Sequence, residues 1–489
     1  MRRIAASATA AAALLGAALA LAPAAPAASR LVIKGHGFGH GIGMSQYGAL
    51  GFAQHGSSYR DILAHYYEQT SLAPLGSSPD VRVLLQSGRR AVVSGVVAGA
   101  GRKLNPRSTY VARPAGGGRV GLYSASGRRL GTGASPLRLA AAGDGAFTLR
   151  GPAANGTSNG RYRGALEVGL SGSGVQAVNA VDLEDYVRGV VSAESPSSWP
   201  AEALKAQAVA ARTYAVTTNA GTSTDGFDQY ADTRSQMYKG VAAEFPSTDA
   251  AVAATRGQVV VQGGRPVTTY FFSTSGGHTE DIENSFVGSL PRAWLRGVTD
   301  PYDSVSPRHS WGPFTLSQAR VQSKLKGLVR GKFRGITVLQ RGVSPRVVRA
   351  EVDGTNGVTQ VTGPQLRARL GLFDTWATFT YISSNAKKKQ QPASGEDGAT
   401  PAPDSSGTTD TTGGQAAMIA RAAPARLTGT IRPARRGRAL RVQVRDGARW
   451  RTVGSTVVGR GGRYAAALPG PGTYRVALGD LTGPAVNVR

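Results

Sequence analysis

The stretch Val181–Val216, VDLEDYVRGVVSAESPSSWPAEALKAQAVAARTYAV, is a helical block in a chain otherwise made of short apolar runs. Leu183, Tyr186, Val187 and Val190 recur at the spacing that puts them on one helix face. Asp182 supplies an N-cap for a helix beginning at Leu183, and Asp185 in its first turn suits the positive end of the dipole. Pro196 disfavours helical geometry at the residue before it, so this helix is expected to end near Ala193. Pro200 suits the first turn of a second helix. In that helix Ala203, Ala206, Ala210 and Ala211 allow neighbouring elements to come close.

The flanking regions read as strands. From Pro79 to Val181, apolar runs such as Val81–Leu85 and Ala91–Val93 alternate with Gly, Ser and Asn clusters. Gln258–Val261 and Thr268–Phe272 read as further strands in a mixed region that runs to Ser383. The fold class expected is α+β: a mixed strand-and-helix catalytic domain, a linker, and a small all-β sandwich. Residues 384–425 are rich in Lys, Pro, Ser, Thr and Gly, as flexible linkers are. Residues 426–489 return to alternating strands, clearest at Ala439–Val444 and Thr473–Leu478, with Trp450 and Tyr464 as core anchors. The catalytic part divides into residues 29–75, a β-rich 76–180 and a helical and mixed 181–383.

The N-terminus bears on the compartment. A basic Met1-Arg2-Arg3 precedes an uncharged Ala/Leu-rich run, Ile4–Ala22, and the small-x-small pattern Ala25-Pro26-Ala27. This reads as a signal peptide over 1–28, cut near Ala27 or Ala28. The run is also close to the length of a membrane anchor, and no later stretch could span. The mature protein is expected to be secreted and associated with the cell wall. Of the 489 residues, 57 are Lys or Arg and 29 Asp or Glu, a net charge of +28. Outside a membrane such charge suits anionic wall polymers rather than nucleic acid, although an Arg-rich composition also simply favours solubility. The charge is spread along the chain rather than gathered in one helix or arm. There is no cysteine, which excludes thiol catalysis, Cys-type zinc sites and iron–sulfur clusters.

Glu194 falls in the break between the two helices. The negative end of the first helix and nearby Trp199 both disfavour a carboxylate, so its pKa should rise, as a general acid near neutrality requires. The residues alone favour an ordinary exposed glutamate in a turn. Glu184, Asp185 and Glu202 read as first-turn helix charges.

Four blocks resemble the stage II sporulation protein D/amidase enhancer family. The first is the helical block, with Leu183–Tyr186, Glu194, Trp199-Pro200 and Ala203–Tyr214. The second is Asp232-Thr233, Ser235-Gln236 and Tyr238–Gly240, the third Thr269–Glu280, and the fourth His40–Ala49. Together they span roughly residues 31–382. The resemblance implies action on peptidoglycan glycan strands, by lytic transglycosylation in the sporulation branch, or modification of a cell-wall amidase in the enhancer branch. It places the acid at Glu194, where one carboxyl can both protonate the glycosidic oxygen and later accept a proton from the sugar's C6 hydroxyl. Hydrolysis usually needs two flanking carboxylates, and Glu280 or Asp281 could supply the second.

The resemblance also implies substrate contacts from His40, Ser45, Gln46, Gln207, Ser273, Ser275, Gly277 and His278. Gly39, Gly41 and Gly43 would let the backbone bend tightly and approach a sugar. Two departures stand out. Ser195 follows the acid where the family commonly has Met, and the cysteine-based zinc site of some members has Ser275 in its region. His36, His40 and His278 offer imidazole donors, but loop histidines more often bond substrate or backbone, so no metal and no cofactor are expected. The His40–Ala49 block lies near the C-terminal end of the domain in family members and here begins the mature chain. This order reads as a circular permutation, which would set a Leu31–Lys34 strand beside a Thr375–Ile382 strand.

Overall fold

The computed structural model describes residues 28–143, 145–221, 225–387 and 425–488. The expected signal peptide, apart from Ala28, and most of the expected linker lie outside the described residues. The strand Ala28–His36 buries Leu31, Val32 and Ile33 and pairs antiparallel with Ser310–Ser317 on one side and Ala377–Lys387 on the other. Leu31 stands opposite Tyr381 and Ile33 opposite Phe379, which is the pairing that a permuted order calls for. Beyond a glycine-rich turn, Met44–Ser45 pairs in parallel with Phe271–Phe272. Helix α1 (Gln46–Gln54) is capped by Ser45, whose Oγ accepts the Gly48 N–H at 3.1 Å. Helix α2 (Tyr59–Tyr66) opens in a capping box formed by Ser58 and Asp61.

The β-rich region builds two antiparallel-strand layers. One runs in the order Arg129–Ala134, Arg119–Ser124, Thr109–Pro114, Ala91–Ser94, Ala146–Pro152, Ser158–Arg163. The other is centred on Asp80–Gly88, Gly174–Asp182 and Ala165–Ser171. Alternating residues such as Val83, Leu85, Val93, Phe147, Leu149 and Val168 fill one core between them. Helix α3 (Leu183–Glu194) starts where the last of these strands ends, with Asp182 accepting the Glu184 N–H at 2.9 Å. Helix α4 (Ala201–Thr217) follows, with Pro200 at its N-cap rather than inside its first turn. Its small side chains let it be covered on two sides: Ala208 and Ala211 join the sandwich core, while Ala206, Val209 and Ala210 pack with Ile62 and Leu63 of α2. Helix α5 (Pro246–Ala254) packs alongside α4. Helices are interspersed among strands that pair almost entirely antiparallel, so the architecture is α+β.

Three expectations change. Glu184 does lie in a first helical turn, but it is buried and holds Arg212 by two bonds of 2.8 and 2.7 Å. Of Thr268–Phe272 only Phe271–Phe272 is strand, because the carbonyls before it are taken otherwise: Trp294 Nε1 donates to Thr268 O, and Tyr67 OH and the Met44 N–H to Tyr270 O. The C-terminal segment is built onto the rest rather than standing apart. Arg426–Arg432 pairs with Ala377–Lys387, and Val32 and Ile382 share one core with Leu427, Ile431, Leu440, Tyr464 and Val476. Tyr464 is buried in it as expected, whereas Trp450 is only half-buried, with the Arg475 guanidinium 4.1 Å from its ring centroid.

Removal of residues 425–489 uncovers Val32 and Ile382. Each fully buried aliphatic side chain contributes roughly 1.5–3 kcal/mol. Calorimetry of the truncated chain should therefore show a melting midpoint lower by about 5 °C or more. An unchanged midpoint would mean that this segment does not support the sheet.

Candidate active site

Glu194 is the last residue of α3, and its carboxylate is held from two directions. Oε1 accepts the Met237 backbone N–H at 2.7 Å, and Oε2 accepts from Gln46 Nε2 at 3.3 Å. The same Gln46 Nε2 lies 3.4 Å from Gln207 Oε1, which Ser195 Oγ approaches at 3.5 Å. Gln207 is buried, and its Nε2 has no hydrogen-bond partner among the described residues. Burial raises the Glu194 pKa above the ordinary carboxylate value, while the Met237 N–H and Gln46 pull it the other way. The sequence assigns this rise to the helix end and to Trp199. The structure gives desolvation as its cause, and Trp199 packs edge-on against Tyr47 with ring centroids 5.1 Å apart. The Met237 N–H has no sequence signal, since any residue type can present a main-chain donor.

The Ser273–His278 loop reaches this cluster at one end. Tyr47 N–H donates to Ser273 O at 3.0 Å, next to Gln46, and Ser273 Oγ bonds Thr274 Oγ1. The other expected contacts turn inward. Ser45 is fully buried as the α1 cap. Ser275 Oγ accepts the Gly277 N–H at 3.0 Å, and His278 Nδ1 faces Thr279 O at 2.6 Å. His40 shares no hydrogen bond with Glu194 among the described residues. Its ring packs among Tyr270, Phe272 and Phe286, Nδ1 accepts the Ile42 N–H at 3.1 Å, and burial pushes its pKa down to about 3, so it is neutral.

Behind both loops lies Arg346, a residue without local sequence signal. Nε and Nη2 each reach the Asp374 carboxylate at 2.9 Å, Nη2 also donates to Ser275 O and Nη1 to His278 O, both at 2.7 Å. A Cβ at Gly41, where φ is +86°, would lie 2.6 Å from Arg346 Nε. The glycines at 39 and 41 thus make room for protein side chains, Phe272 and Arg346.

Glu280 and Asp281 are occupied elsewhere. Buried Glu280 accepts from the Asp281 and Val343 N–H groups and from Asn284 and Ser344, and Asp281 accepts from Arg296 and the Gly297 N–H. Neither shares a hydrogen bond with Glu194. The three histidines considered as metal ligands do not converge, and among the described residues no group of three or more His, Asp or Glu could hold a metal ion. A zinc site does not fit these residues.

The sequence model of the Stage II sporulation protein family, SpoIID, matches residues 171–261, which contain Glu194, Gln207 and Met237. This stretch of the chain is thus similar to the SpoIID family. It is 31% identical over 212 residues to Stage II sporulation protein D of Bacillus subtilis, covering 40% of this chain and 60% of that protein. The Bacillus amyloliquefaciens protein of that name is also 31% identical over 212 residues, with 40% and 59% covered. The Amidase enhancer of Bacillus subtilis is 35% identical over 144 residues, 29% of this chain and 19% of that protein. The chain thus spans about three-fifths of the length of the two sporulation proteins.

Outside the SpoIID match, Asp300 is a further buried carboxyl that sequence patterning does not mark. Burial, and then the charge of Asp303, push its pKa up from 3.8 to about 6. Between those values the unfolded chain ionises and the folded chain resists, so stability falls as pH rises from about 4 to 6 and stays lower above. Two units correspond to about 3 kcal/mol. Asp300→Asn cannot ionise, so denaturant melts should favour it over the parent by about 2–3 kcal/mol more at pH 7 than at pH 4.

Proposed function

We propose that this chain is an exported protein that cleaves cell-wall glycan strands by lytic transglycosylation, with Glu194 as the single acid and base. A cell-wall-related function is what SpoIID and amidase-enhancer relatives support. The observation that carries the finer reading is one carboxyl of raised pKa at a helix end, gripped by Gln46 and the Met237 N–H. In its protonated form Glu194 gives its proton to the glycosidic oxygen of the MurNAc–GlcNAc bond, and positive charge develops at the sugar's anomeric carbon. The carboxylate then takes the proton of that sugar's C6 hydroxyl, whose oxygen closes a 1,6-anhydro ring. Glu280 and Asp281, saturated by other donors, are poorly placed to activate water instead.

Gln46 and Gln207 orient the carboxyl and, with Ser273, line the approach to it. His40, Ser45, Ser275, Gly277 and His278 act through the shape of the two loops. The permuted order brings the His40–Ala49 block to this groove from the N-terminal side. Among the described residues no helix is long and apolar enough to cross a membrane. A second reading, an enhancer that partners a cell-wall amidase, is favoured by the match to the Amidase enhancer.

Mass spectrometry of purified glycan strands after incubation separates these readings. Products with 1,6-anhydro ends support transglycosylation, reducing ends support hydrolysis, and no products support the enhancer. Glu194→Gln keeps the side chain's shape and, with its amide oxygen toward the Met237 N–H, one of the two accepted bonds, its NH2 facing a Gln46 amide that can turn its oxygen to accept; it has no acidic proton. It should lower turnover by about 10²–10⁴-fold with an unchanged melting midpoint. Because the acid must be protonated, kcat/KM should fall as pH rises through the Glu194 pKa. Gln46→Leu removes a bond that favours the carboxylate, so this falling limb should move to higher pH.

A further inference from the structure

From Val81 to Gly143 the sequence contains eleven Lys and Arg and no Asp or Glu. Composition alone leaves this charge spread along the chain, but the fold gathers the stretch onto one sandwich. Arg82 and Arg138 share the single carboxylate of Glu167 there. Arg102, Lys103 and Arg128 are exposed and have no ion-pair partner among the described residues. They meet in a groove of about 600 Å³ whose lining includes Ser108, Ser124 and Ser126 and no acidic residue. The groove forms where the Arg102–Lys103 strand, at the edge of one sheet, meets the turn between Arg119–Ser124 and Arg129–Ala134 of the other.

We propose that this groove binds a phosphate-bearing anionic polymer of the cell wall. Guanidinium forks pair bidentately with phosphate oxygens, and neighbouring hydroxyls supply donors for the oxygens left over. Three cations without a carboxylate among them favour a ligand that carries charge on successive units. A nucleic acid would be expected to find open aromatic faces for its bases. Here Tyr110 is buried with its hydroxyl bonded to Asn105, and the Arg113 guanidinium lies 4.2 Å from the Tyr123 ring centroid. The inference rests on the exported, cell-wall part of the proposed function but not on glycan cleavage, because its test involves no catalysis.

Fluorescence anisotropy of labelled linear polyphosphate, titrated with the full chain, tests the groove. Binding should weaken as NaCl rises. Arg102→Gln/Lys103→Gln/Arg128→Gln should weaken it at least tenfold with an unchanged melting midpoint, whereas Arg320→Gln/Lys326→Gln/Arg330→Gln, which removes equal charge elsewhere, should leave it within twofold. Equal loss in both triples, or no loss in the first, overturns the proposal. So does polyglutamate of equal charge binding as tightly as polyphosphate, or single-stranded DNA displacing polyphosphate at a lower phosphate concentration.

Discussion

A guanidinium withdrawn from water must find both a counter-charge and acceptors for its remaining N–H groups, and Arg346 finds them only if several distant segments meet. Asp374 supplies the charge, and the carbonyls of Ser275 and His278 supply acceptors. The Gly41 backbone closes over the same side chain. The loop so fixed begins at Ser273, which accepts the Tyr47 N–H and so sets the start of α1. Gln46 at that start is what reaches Glu194. The path from Arg346 to the acid is therefore short and made of hydrogen bonds, although none of its members is adjacent to Glu194 in sequence.

A second buried pair plays the same part beneath the helices. Arg212 on α4 grips Glu184 on α3, and Glu184 Oε1 also accepts the Gly257 N–H at 3.0 Å. The relative positions of the two helices set that of Glu194 to Gln207. Breaking one partner of such a pair leaves an uncompensated buried charge, which is more damaging than losing a surface salt bridge.

Helical periodicity, proline punctuation and the Asp182 cap made α3 and α4 legible to within a residue or two, because they are local signals. The partnership of the Leu31 strand with that near Ile382 was legible from the order of motifs rather than from either strand. Arg346, Asp374 and Asp300 were not legible, since a buried charge looks like a surface charge until its partners are known. Thr268–Phe272 misled because donors from other segments, the Trp294 and Tyr67 side chains and the Met44 N–H, took its carbonyls. The cohesion of the C-terminal segment was hidden for a related reason. A strand that joins an existing sheet has the same alternation as one that founds its own.

The place of the Ala28–His36 strand has a kinetic consequence. It sits in the interior of its sheet, yet both neighbours lie hundreds of residues further along the chain. It cannot fold by zipping onto anything made just after it. Its apolar face stays without a partner until almost the whole polypeptide is available, and closure then depends on contacts of very large sequence separation. Assembly of this sheet should be the slow event in maturation, and during it the strand is an unpaired template for unwanted association.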